Sequence, residues 1–353
     1  MIVLYIILAI LILMLMIMIH ELGHYLAGKW LKFKIEEFSI GFGKALFSKT
    51  MKSGEVFSIR LIPLGGYCAF KGEDEDGNED PECFNSYACW KRIIVLISGA
   101  LFNFVSGILF TFVLLLSVGT GIAKITDIKD NSVNKDQIMK SDIILEVDGV
   151  APTFLNGGIN GLCASKDIGE DIVLTINRNG DIKEITVQKY ETEKLDDKNQ
   201  VVKDKDGNPV MIEIIGVTTE YVPCSFGEAI VKSVPYTFKI AWECLVILGG
   251  LFTGSVGIDS IGGPITTVST IAQASAMSLK NLVLLFPLIA INLAVFNLLP
   301  VPALDGARVV FVAIEWIFKK PVPREIEAKI HNIGLMILFS LVIVVDVLQM
   351  FVF

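Results

Sequence analysis

Charge is scarce in this chain. Of its 353 residues only 19% are Asp, Glu, Lys or Arg and 53% are hydrophobic, a balance too apolar for a soluble protein of this length. From Met1 to Ile19 there is no charge at all. That run has no Lys or Arg ahead of it and no small-residue cleavage site, which argues against a removable secretory signal. Basic excess is missing too. The net charge is −8, with the acidic surplus largely in one long hydrophilic segment, so the lipid bilayer is an expected partner and nucleic acid is not. The six cysteines, Cys68, Cys83, Cys89, Cys163, Cys224 and Cys244, show no Cys-x-x-Cys spacing, which argues against a disulfide framework or a cysteine zinc site.

Histidine is nearly absent as well, with three in all. Two of them stand four residues apart in His20-Glu21-Leu22-Gly23-His24, directly after the uncharged run. On a helix, positions i and i+4 share a face, so both imidazoles can reach one Zn²⁺ while the carboxylate of Glu21 stands beside them as general base. Ionisable groups are costly inside a bilayer and are usually kept there for function. The motif therefore reads as a zinc site sunk in lipid.

Four segments are long and apolar enough for spans, about Ile2 to Ala27, Ile93 to Ala123, Asn281 to Leu304 and Ile333 to Phe353, against a need for roughly 20 residues per crossing. Asp346 interrupts the last. The uncharged, Gly-rich run from Cys244 to Ile258 is too short to cross comfortably and reads as an interfacial or re-entrant helix. Ten Lys or Arg between Lys29 and Arg92, with Arg308, Lys319, Lys320, Arg324 and Lys329, place both connections in the cytoplasm by the positive-inside rule. Both termini and the stretch from Lys124 to Lys280 then lie outside. The expected divisions are 1–120, an N-terminal membrane part; 121–221, an extracytoplasmic β-rich domain; 222–280, a linker with an amphipathic or re-entrant helix; and 281–353, a C-terminal membrane part.

Within the external domain, Asp171 to Arg178 and Asp181 to Lys189 flank Asn179-Gly180, a type I′ hairpin signal. The segment from Met139 to Gly149 resembles a strand of bacterial PDZ domains, with Ser141 where such domains generally have Gly. Leu195 to Pro209, rich in Lys and Asp, reads as a solvated insertion, and the acidic run from Glu73 to Asp80, between the first two spans, reads as a solvated cytoplasmic loop without chemistry. Between the first two spans, Phe38 to Lys44 and Val56 to Phe70 suggest a β-hairpin dipping into the membrane.

A catalytic zinc needs a third protein ligand and an open position. Asp305 is the natural candidate, because two intervening crossings return the chain to the side of His20 and His24; its ordinary alternative is capping of the helix that begins near Ala307. His331 reads as an interfacial, structural histidine.

With these residues in view, the chain resembles the site-2 proteases, a family of intramembrane zinc metalloproteases, and within it the bacterial RseP-like group. The carriers are His20-Glu21-Leu22-Gly23-His24, Gly99-Ala100-Leu101-Phe102-Asn103, and Asn297-Leu298-Leu299-Pro300-Val301-Pro302-Ala303-Leu304-Asp305-Gly306. The resemblance implies a polytopic α-helical protein of a bacterial inner membrane, with about four transmembrane helices, a re-entrant β-hairpin and one inserted PDZ-like domain. It implies Zn²⁺ as cofactor, His20, His24 and Asp305 as ligands, and Glu21 as the residue that activates water. The implied substrates are single-span membrane proteins such as anti-sigma factors, or signal-peptide remnants, cut near the cytoplasmic side.

The same resemblance implies substrate contacts at Asn292, Asn297 and Pro300, at Gly65 and Gly66 in the re-entrant hairpin, and at Asn103. Each has a plainer alternative: helix-to-helix hydrogen bonding for Asn292 and Asn297, a turn for the two glycines, close helix packing for Asn103. A non-catalytic membrane scaffold bearing a PDZ-like domain, and a zinc transporter, are the competing functions. The first has no need of Glu21, and the second needs ionisable groups along a full path rather than at one depth.

Overall fold

The uncharged N-terminal run forms the first part of a single helix, α1 (Ile2–Trp30). The computed structural model describes residues 2–73, 80–194, 200–204, 207–256 and 262–351. Most of the acidic run after Glu73 and parts of the segment from Leu195 to Pro209 lie outside these residues. The chain divides into two compact units: Met1–Thr111 with Ser233–Phe353, and Phe112–Lys232.

In the first unit α1 is followed by two long strands, β1 (Ile35–Thr50) and β2 (Val56–Phe70), and then by α2 (Cys89–Ser117). Both strands bend and pair twice: Glu37 lies opposite Ala69 and Val56, and Ile40 lies opposite Gly66 and Ile59. Residues 66–70 are thereby left along one margin of the sheet. Helices α1 and α2 approach at small residues, for a Cβ on Gly23 would lie 2.4 Å from the Ser98 carbonyl oxygen. Only glycine permits that approach.

The second unit holds a five-stranded antiparallel sheet in the order β6-β5-β4-β3-β9, built from β3 (Ala123–Ile128), β4 (Ile143–Val147), β5 (Asp171–Arg178), β6 (Asp181–Gln188) and β9 (Val217–Tyr221). A short helix, α3 (Gly158–Ala164), and a two-stranded ribbon of β7 (Tyr190–Glu193) and β8 (Met211–Ile214) complete it. Ile172, Leu174 and Ile176 alternate inward on β5 and are fully buried with Ile125, Ile144 and Val187, the period-2 pattern of a sheet with one buried face. The β5–β6 hairpin turns at Asn179 and Gly180, both at positive φ, as a type I′ turn requires.

Five described helices are long and apolar enough to cross a membrane, one more than expected. The addition is α4 (Phe226–Thr253), so Cys244 to Thr253 is the C-terminal part of a 28-residue helix rather than a short one of its own; Ile258 lies outside the described residues. Glu228, Lys232, Lys239 and Glu243 interrupt it before its uncharged C-terminal part, so it is much less apolar than α1. The chain continues through α5 (Pro264–Met277), α6 (Leu279–Leu298), α7 (Asp305–Phe318) and α8 (Arg324–Phe351). The expected third span therefore ends at Leu298, and Asp305 opens a separate helix.

Asp346 acquires a structural role. Its carboxylate accepts the backbone N–H groups of Ile265 and Thr266, at 3.2 and 3.1 Å, and the Thr266 hydroxyl. A carboxylate of α8 thus caps the N-terminus of α5, where unpaired N–H groups favour negative charge. Helix α5 in turn packs Ile271 and Ala272 against Ala9, Ile12 and Met16 of α1.

Candidate active site

His20 and His24 lie one turn apart on α1, both buried, with their Nε2 atoms 3.1 Å apart. Asp305, the first residue of α7, brings Oδ2 to 2.9 Å from Nε2 of His20 and 3.3 Å from Nε2 of His24. Among the described residues, these three form the group whose ligand atoms all lie within 4.8 Å of one another. The chain places Asp305 there by folding tightly between α6 and α7: a Cβ on Gly306 would lie 2.3 Å from the Leu299 carbonyl oxygen. Buried Arg92 of α2 pairs with Glu315 and ties α7 to α2.

The histidines are held through their other nitrogens. Nδ1 of His24 donates to the Val95 carbonyl at 2.8 Å, which leaves its Nε2 with a lone pair facing the cluster. Nδ1 of His20 lies 3.5 Å from the Asn103 amide and 3.4 Å from the Asn297 amide. Two imidazoles and a carboxylate converging on one point are the N and O donors that Zn²⁺ takes, with a fourth position open. The donor set therefore fits that metal.

Glu21 projects beside the cluster and lines two cavities. One, of about 270 Å³, adjoins His20, Asn103, Asn297, Leu304 and Asp305. The other, of about 290 Å³, adjoins both histidines, Asp305, residues 67–70, Glu73 and Arg308. Cys68 and Ala69 of β2 share the second cavity with Glu21, and a Cβ on Gly66 would lie 3.5 Å from Glu21 Cγ. The margin of β2 therefore runs alongside the candidate base.

The remaining expected site residues are spread out. Gly65 takes φ +133 and abuts the Phe42 ring. Asn292 turns toward α4, where its Oδ1 accepts from the Cys244 thiol at 3.0 Å. Pro300 lies in the connection after α6, beyond the lining of both cavities. Three participants escaped the reading of the sequence. The Val95 carbonyl is backbone and leaves no side-chain signal, and Glu73 and Arg308 pair with each other at the second cavity. Gly99, part of the second motif, lies where a Cβ would press on both imidazoles.

A family model described as "Peptidase family M50" matches residues 8–341. The chain belongs to peptidase family M50. Similar full-length proteins include one from Clostridium perfringens, 28% identical over 98% of each chain. Another, from Helicobacter pylori, is 31% identical over 93% of this chain and 94% of its own. A third, from Fusobacterium nucleatum, is 29% identical over 97% of each. All three are provisionally named zinc metalloproteases. As an M50 peptidase with five apolar helices of membrane-crossing length, the chain is a multi-pass membrane protein.

Proposed function

We propose that this M50 peptidase is an intramembrane zinc metalloprotease that hydrolyses peptide bonds within or near transmembrane segments. The observation that carries the reading is the convergence of His20, His24 and Asp305, with Glu21 beside them, on a helix apolar enough to cross a bilayer. Zinc held by those three residues would supply a nucleophilic water at neutral pH and polarise the scissile carbonyl. Glu21 takes the proton of the attacking water on its carboxylate and returns it to the leaving amine nitrogen. No acyl-enzyme forms, because no side-chain nucleophile is used.

A transmembrane helix hides its peptide bonds, so the substrate must unwind before it reaches Glu21. In this reading the β2 margin at residues 66–70 receives the extended chain by main-chain hydrogen bonding, while Asn297 and Asn103 face the first cavity. Substrates are single-span proteins such as anti-sigma factors, or signal-peptide remnants. The β-rich unit acts as a PDZ-like screen on the outer side of a bacterial inner membrane, and the site lies near the cytoplasmic side. The termini both lie outside if α4, the least apolar candidate, does not complete a crossing.

The test is co-expression with a tagged single-span substrate. Glu21→Gln is expected to abolish detectable cleavage while zinc stays bound, since general-base catalysis contributes about 10²–10⁴-fold. Asp305→Ala should lose both zinc and cleavage. Cleavage surviving both changes would sink the assignment, and a function untouched by Glu21→Gln would favour a scaffold.

A further inference from the structure

Helix α8 supplies none of the site residues, yet it carries a histidine in a segment apolar enough to cross a membrane. Polar side chains in such a segment are expensive unless they have work. Nδ1 of His331 accepts the backbone N–H of Ala303 at 3.0 Å. Ala303 sits at φ +78, a left-handed conformation that residues with a Cβ rarely adopt and that persists only where its surroundings enforce it. One helical turn along α8, Gly334 lets the helix abut the same connection: a Cβ there would lie 2.1 Å from Cβ of Pro302. The ring of Phe311, on α7, packs against His331 with centroids 5.6 Å apart.

These contacts grip Pro302 and Ala303 from α8, while Gly306 locks the start of α7 onto the end of α6. Asp305 lies between the two holds. Without an acceptor for its N–H, Ala303 can relax toward negative φ, and a rotation two residues before Asp305 swings the carboxylate away from the imidazoles.

We propose that His331 is a positioning residue for Asp305. By accepting the Ala303 N–H it holds the 301–304 turn in the strained form that presents the carboxylate to His20 and His24. The proposal rests on the reading of those three residues as the zinc site.

The experiment uses the full-length protein in detergent, with zinc affinity from chelator competition and the visible spectrum of the Co²⁺-loaded protein as a report of ligand geometry. His331→Phe keeps a ring against Phe311 but removes the acceptor; its zinc affinity is expected to fall about 10-fold or more, as for other supports of metal ligands, with a changed Co²⁺ spectrum. His331→Asn places Oδ1 where Nδ1 stood and should restore most of both. Gly334→Ala, which pushes on Pro302 with His331 intact, should weaken zinc in the same direction and serves if the Phe variant fails to fold. Wild-type affinity and spectrum in His331→Phe would overturn the proposal. So would an Asn variant as weak as the Phe one, because ring volume rather than the acceptor would then matter. Asp305→Ala separates the two levels: zinc loss there with none in His331→Phe removes the positioning role alone, whereas zinc bound as tightly as in wild type removes the metal site and the proposal together.

Discussion

A methyl group on Gly99 would lie 2.4 Å from Nε2 of His24 and 2.7 Å from Cε1 of His20. Alanine is a better helix former than glycine, so Gly99→Ala should leave α2 intact or firmer. The imidazoles must give way instead. We expect weaker zinc retention after dialysis and cleavage reduced on the order of 10²-fold, the scale at which a misplacement near 1 Å acts on a reaction. Unchanged metal content and activity in this variant would mean that the α1–α2 contact has slack. At this scale His20, Glu21 and His24 were legible because helical periodicity alone puts i and i+4 side by side. The asparagines were legible only as polar groups at depth. Asn292 and Asn297 are five residues apart, about 140° around a helix, so both cannot face one point; packing decided that Asn292 meets Cys244 while Asn297 meets His20.

The β4 strand of the second unit shows how an element carries local cost. Ser141, just before it, takes φ +77, and a left-handed conformation costs a residue with a Cβ roughly 1–2 kcal/mol. Ser141→Gly should therefore raise stability by up to about 1 kcal/mol after glycine's own entropy in the unfolded chain is deducted, seen as slower amide exchange in β3, β4 and β5. No gain would mean that the serine is otherwise compensated. The neighbouring Asp142 is buried, which raises its pKa, but two bonds from Arg178 and one from the Met139 N–H outweigh burial and hold it below the usual carboxylate value. A group depressed on folding stabilises above its unfolded pKa of about 3.9. That contribution should persist at neutral pH and disappear as pH falls through and below about 3.9. Asp142→Asn should lose about 1–3 kcal/mol at neutral pH and flatten this acid limb of the exchange-derived stability; an unchanged acid limb would rule Asp142 out as its source. The β5–β6 hairpin was readable almost to the residue, since Asn-Gly fixes the turn and the turn fixes the register. Helix α4 was not, because Glu228, Lys232, Lys239 and Glu243 punctuate it and left only the uncharged run after Glu243 visible as an apolar stretch.

Across the whole molecule, the number of crossings determines where the chain ends. Five helices meet the length and composition required, and an odd number of crossings would put the termini on opposite faces. With α4 not crossing, alkaline phosphatase fused after Phe353 should be active and a fluorescent protein fused there dark, with the same result for fusions between residues 200 and 204. A bright C-terminal fluorescent fusion would mean that α4 crosses. The sequence by itself determined the membrane class, the histidine pair with its carboxylate, and the hairpin of the β-rich unit, because each rests on periodicity or composition within one continuous stretch. Crossing parity put Asp305 on the side of those histidines, but only the tertiary structure set it 2.9 Å from His20 across 285 residues of separation, placed the Val95 carbonyl behind His24, and assigned Asp346 to the head of α5 and His331 to Ala303. Those contacts join groups whose neighbours in space are remote along the chain or lie in the backbone, and neither kind leaves a trace in local spacing.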